Sequence, residues 1–167
     1  YPEKVIEKLP ENSMVILRDY DHDNRAELGE ALRYICTQRK IKFLVAKDLT
    51  LALQLGADGI HLPEFMIGET IGLRMDHPNL FFSVSCHSEE AVVKALMSGA
   101  EIILLAPIFP THSHSETFDN KKNIVGVNEL KKLFSLSDGG DDYLFFFKDR
   151  NDKKWMAHCQ KVEGQED

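Results

Sequence analysis

Leu53-Gln54-Leu55-Gly56-Ala57-Asp58-Gly59-Ile60-His61-Leu62 reads as the end of a helix, a glycine stop and a buried strand. Gly56 supplies the left-handed turn that ends a helix, Ala57 lets the chain pass close to a sheet, and the apolar run that follows is too short for a helix. The same reading recurs 43 residues later, counted from Gly56 to Gly99, in Leu96-Met97-Ser98-Gly99-Ala100-Glu101-Ile102-Ile103-Leu104-Leu105. Each copy is the join of a β/α unit. Each strand then runs into a polar loop containing proline, His61-Leu62-Pro63-Glu64 in one case and Pro107-Ile108-Phe109-Pro110-Thr111-His112-Ser113-His114 in the other. Parallel α/β folds place their sites at the carboxyl ends of strands, so these loops are expected to carry the function.

Outward from the two joins, strand and helix alternate about five times. Residues 2–9 predict a short helix ending before Pro10. Met14-Val15-Ile16-Leu17-Arg18 is a strand that ends on a charge, and the following Asp21-His22-Asp23-Asn24 offers helix N-caps. Leu28, Ala31, Leu32, Ile35 and Cys36 then fall on one helical face. Further strands are expected over 41–46, 59–61, 80–84 and 101–106. The helices between them cover 49–55 with Asp48 as cap, 70–75, and 91–98 started by Ser88-Glu89-Glu90. The strands are apolar throughout instead of alternating, the mark of a parallel sheet covered on both faces. Periodicity leaves open whether that sheet is doubly wound or part of a barrel. Beyond Leu133 the pattern breaks. Tyr143-Leu144-Phe145-Phe146-Phe147 is compatible with a strand, and the polar end of the chain is expected to fray.

The chain has 167 residues, 43% of them hydrophobic, enough for one core and too few for two large domains. A net charge of -7 argues against nucleic acid as a partner, since phosphate binding needs a basic stripe. No apolar run reaches the roughly 18 residues of a membrane span, and no signal-peptide pattern opens the chain. Three widely spaced cysteines, Cys36, Cys86 and Cys159, fit a reducing compartment. A cytoplasmic protein is therefore expected.

In the parallel arrangement the carboxyl rim gathers Arg18, Asp48, His61, Glu64, Ser85-Cys86-His87 and residues 111–115. An arginine, several hydroxyls and histidines around one mouth suit an anionic small molecule, because guanidinium binds phosphate or carboxylate bidentately and hydroxyls add neutral donors. Plainer roles compete with each reading. Arg18 has Asp48 or Glu64 as candidate ion-pair partners, and His61 is equally a hydrogen-bonded structural histidine. Cys86 and His87 point to opposite faces of a strand, which disfavours a thiolate dyad. His112 and His114, with His61 or His87, are candidate ligands for a transition metal, as in a hydrolase.

His61-Leu62-Pro63-Glu64, Val84-Ser85-Cys86-His87-Ser88 and the 107–114 loop, with Gly126 beyond, resemble thiamine phosphate synthase and its relative, the thiazole tautomerase. The resemblance spans residues 5–133. It implies a TIM (β/α)8 barrel that couples hydroxymethylpyrimidine diphosphate to thiazole phosphate, releasing pyrophosphate with Mg2+. Residues 1–133 then form an incomplete barrel of about five β/α units, the second to sixth strands, and 134–167 form a divergent tail. A first strand ahead of Tyr1 and the glycine-pair loops of the seventh and eighth strands have no match, Asp138-Gly139-Gly140-Asp141 lacking a preceding apolar strand. The open edges call for a partner chain such as a homo-oligomer, a rearranged tail or a further piece. By position, Arg18, Thr111, Ser113 and His114 become substrate-binding residues, with Ser85 and His61 at the pyrimidine end as catalytic residues. Lys47 and Met66 stand where the family has metal carboxylates, which leaves Asp48 and Glu64 as substitute Mg2+ ligands. The tautomerase histidine falls near Pro107, so that activity is not implied. The alternative function is a non-catalytic, degenerate member that binds a phosphorylated small molecule.

Overall fold

The computed structural model describes residues 2–106, together with the backbone of Tyr143–Lys148 and Lys154–Cys159. Its elements run α1 (Pro2–Ile6), β1 (Met14–Leu17), α2 (Arg25–Gln38), β2 (Lys42–Ala46), α3 (Leu49–Gln54) and β3 (Gly59–Leu62). A 3-10 segment (Glu64–Glu69) leads into α4 (Thr70–Asp76), followed by β4 (Phe81–Cys86), α5 (Glu89–Met97) and β5 (Ile102–Leu105). The five strands pair in parallel in sequence order and curl into half of a barrel. The strand pair β6 (Tyr143–Lys148) and β7 (Lys154–Cys159) is antiparallel, with Tyr143 opposite Cys159. Only the first of these two was expected. Thr111, Ser113, His114 and the 138–141 segment lie outside the described residues.

Both quoted joins fold as read. Gly56 has φ 56° and Gly99 has φ 77°. The amide of Ala57 reaches back to the Ala52 carbonyl at 2.9 Å, and that of Ala100 to Ala95 at 3.1 Å, closing the same helix end twice. The acid that follows then ties the join to the sheet. Asp58 accepts the Phe43 amide at 2.7 Å and Arg33 of α2 at 2.8 Å; Glu101 accepts the Phe82 amide at 2.8 Å and pairs with Arg74 of α4. Each β/α join thus pins the first amides of a neighbouring strand with its own carboxylate.

A third join has the same shape without the glycine. Lys40 takes φ 53°, and the Ile41 amide closes on the Cys36 carbonyl at 2.8 Å. A left-handed conformation costs a non-glycine residue roughly 1–2 kcal/mol, and the exposed Lys40–Glu11 pair at 3.9 Å returns little. Lys40→Gly is expected to stabilise the protein by about 0.5–1 kcal/mol, read as a higher urea midpoint at unchanged slope.

Side-chain alternation separates two faces of the curled sheet. Val15, Leu17, Phe43 and Val45 pack under α1–α3, while Ile60, Leu62, Phe82, Val84, Cys86, Ile103 and Leu105 pack under α4 and α5. Burying Phe43 and Phe82, each 0% exposed, contributes about 2–3 kcal/mol apiece. The other face turns inward. There the register sets His61 opposite Ser83, and Ser85 follows two residues later on the same side. Arg18, one residue past β1, shares this inner side because Leu17 faces the helices.

Candidate functional site

The inner face ends in a chain of hydrogen bonds. His61, 1% exposed, sits between two hydroxyls: Nδ1 lies 3.0 Å from Ser83 Oγ and Nε2 lies 2.8 Å from Ser85 Oγ. Burial, aided by the positive charge of Arg18, pushes the imidazole pKa down to about 4. His61 is therefore neutral at physiological pH, with one donor and one acceptor nitrogen. Arg18 itself is exposed and forms no ion pair among the described residues. Among the described residues its guanidinium lies beside a neutral, hydrogen-bonding wall, a combination chemically suited to an anion.

The acids of the rim are already engaged. Asp48 caps α3, accepting the Leu51 amide at 2.9 Å, and its other oxygen lies 3.6 Å from Arg25. Arg25 in turn donates to the carbonyls of Leu17 at 3.2 Å and Ala46 at 2.8 Å, tying together the ends of β1 and β2. The ion-pair partner of Asp48 is thus Arg25 and not Arg18. Glu64 accepts the His87 amide at 2.5 Å, bridging the loops after β3 and β4. Cys86 faces the helix-side core, where burial and then Glu64 push its thiol up to about 12. Such a thiol is no nucleophile, so the Cys86–His87 dyad is excluded by burial as well as by facing. A groove of about 1070 Å³ lies outside the sheet between the 3-10 segment and α5, lined by Phe65, Ile71, Lys94 and Met97 among others. It is separate from the inner face.

Comparison with known proteins gives this rim a family. The profile of thiamine monophosphate synthase matches residues 3–137. The chain belongs to that family. It is 34% identical over 122 residues to a relative from Aquifex aeolicus, covering 72% of this chain and 62% of that one. It is 32% identical over 118 residues to the thiamine-phosphate synthase of Limosilactobacillus reuteri, covering 70% and 53%. The chain therefore spans between about half and three fifths of the length of these relatives. Among solved structures, a thiamine phosphate pyrophosphorylase from Pyrococcus furiosus superposes with TM-score 0.60 at 21% identity, covering 80% of this chain and 61% of that one. A citrate synthase superposes with TM-score 0.59 at 12% identity, covering 89% and 72%. At these identities both likenesses concern the fold alone.

Mg2+ is what the family resemblance implies, and it requires several free oxygen ligands in near-octahedral array. The described residues of the rim do not offer them. Asp48 is spent on a helix cap and Arg25, Glu64 on a backbone amide, and Lys47 adds an ammonium whose nitrogen lies 5.5 Å from the Phe65 ring centre. Among the described residues no three histidine, cysteine or acidic groups gather at metal-binding range. Asp48 and Glu64 do not fit a Mg2+ site, and no step proposed below runs through one. Asp48→Ala is expected to cost about 1 kcal/mol of stability through the lost cap. Its affinity for a phosphate ligand, measured by calorimetry, is expected to stay within about twofold of the parent, a difference below 0.5 kcal/mol.

Arg18, His61 and Ser85 come together as the sequence implies. Ser83 and Arg25 were missed. Ser83 was legible as the residue two before Ser85 on the same strand face. Arg25 carried no signal, since an arginine in the first turn of a helix opposes the helix dipole and reads as solvated surface.

Proposed function

We propose that this chain takes part in thiamine phosphate synthesis, binding thiazole phosphate for coupling to hydroxymethylpyrimidine diphosphate with release of pyrophosphate. The observation that carries the reading is the inner rim itself: an Arg18 guanidinium with no ion pair among the described residues, beside a neutral His61 linked to Ser85. Arg18 holds phosphate oxygens, and the family resemblance assigns Thr111, Ser113 and His114 as further donors to the same group. Ser85, held by His61, orients the pyrimidine end. Family membership supports the reaction class.

A second reading has its own support. The commitment of Asp48 and Glu64 to structural bonds favours a family member that binds the phosphorylated ligand and does not turn it over. Pyrophosphate release from hydroxymethylpyrimidine diphosphate in the presence of thiazole phosphate, followed with a coupled phosphate assay, separates the two. Sustained release identifies a synthase; saturable binding without release identifies a non-catalytic binder. Failure to bind either substrate contradicts both readings.

A further inference from the structure

Ser83 is wholly buried at 0% exposure, and among the described residues its hydroxyl bonds to one group, His61 Nδ1 at 3.0 Å. A hydroxyl proton left unshared in a dry interior is costly, so Ser83 places its proton on the acceptor within reach. An imidazole that accepts at Nδ1 carries its own hydrogen on Nε2. Nε2 lies 2.8 Å from Ser85 Oγ, so Ser85 receives a hydrogen bond and keeps its own proton free. Ser85 is only partly buried, near the carboxyl end of β4.

We propose that Ser83 is a positioning residue that locks His61 as the Nε2–H tautomer and so makes Ser85 a hydrogen-bond donor to an acceptor atom of the bound ligand. The direction of the chain is set from its buried end. If the imidazole carried its hydrogen on Nδ1 instead, Ser85 would spend its proton on Nε2 and offer the ligand only lone pairs. Ser83 thus decides which chemistry Ser85 shows to the mouth, without touching the ligand. The low basicity of His61 keeps this arrangement intact by holding the ring neutral. The ligand half of the inference rests on the phosphate-binding reading above; the tautomer half stands on the free protein alone.

The test is nitrogen-15 NMR of the histidine rings in the full chain at neutral pH, with His61 assigned by comparison with His61→Asn. The expected spectrum has Nε2 as the protonated nitrogen and Nδ1 as the unprotonated one. Ser83→Ala is expected to raise the Nδ1–H population and to lower affinity for hydroxymethylpyrimidine diphosphate about tenfold, the worth of one hydrogen bond. Ser83→Thr, which keeps the hydroxyl, is expected to restore both. A parent protein found in the Nδ1–H form overturns the lock, whatever it binds. An Nε2–H form in a protein that binds no hydroxymethylpyrimidine diphosphate upholds the lock and overturns the ligand reading.

Discussion

Gly59→Ala is expected to destabilise this protein by about 3 kcal/mol, a large share of the roughly 5–15 kcal/mol that holds a native domain together. Gly59 opens β3 and lies opposite Phe81 in the β3–β4 pair. A methyl group built there stands 2.1 Å from the Phe81 carbonyl oxygen, 2.7 Å from its Cβ and 2.8 Å from its carbonyl carbon. Two of these three atoms belong to the backbone, so no rotamer change relieves the overlap. The two strands must part. That separation also stretches the His61–Ser83 bond, because both residues lie on the same strand pair. Urea titration followed by circular dichroism is the measurement. A midpoint change worth under about 0.5 kcal/mol contradicts the described pairing.

The second large effect is acid sensitivity through His61. Its pKa falls from 6.5 in the unfolded chain to about 4 in the folded one. The folded value is depressed, so between these limits the unfolded chain binds a proton that the native protein refuses. Stability is therefore undiminished above pH 6.5, falls as pH drops toward 4 and levels off below it, a total of about 3 kcal/mol. Carboxylates titrate in the same range, so the contribution of His61 is the difference between the parent and His61→Asn. Urea midpoints from pH 7 to 4.5 are expected to fall more steeply in the parent. Parallel profiles contradict a buried, neutral His61.

The β/α joins were legible because glycine marks a left-handed turn cheaply, and Gly56 and Gly99 repeat it. The join at Lys40 has the same geometry and was hidden, since there the surrounding fold imposes the turn on a residue that does not favour it. The parallel order of the strands was enough to bring Arg18, His61 and Ser85 to one rim. What the sequence did not disclose were the bonds that occupy polar groups. Asp48 reads equally well as a ligand, a cap or an ion-pair partner, and only three-dimensional proximity to Arg25 and Leu51 decides. Asp58 and Glu101 looked like charges at the start of strands, yet each accepts an amide from the strand beside it. Their partners are 15 and 19 residues away in the chain, beyond the reach of any local pattern.

Whether the inner rim around Arg18 and Ser85 binds a phosphate ligand is decided by calorimetric titration with thiazole phosphate. Saturable binding is expected for the parent, with affinity reduced at least about tenfold in Arg18→Ala, equivalent to 1.4 kcal/mol, and the fold preserved. Binding of equal strength in the parent and in Arg18→Ala, or none by a folded parent, would contradict it.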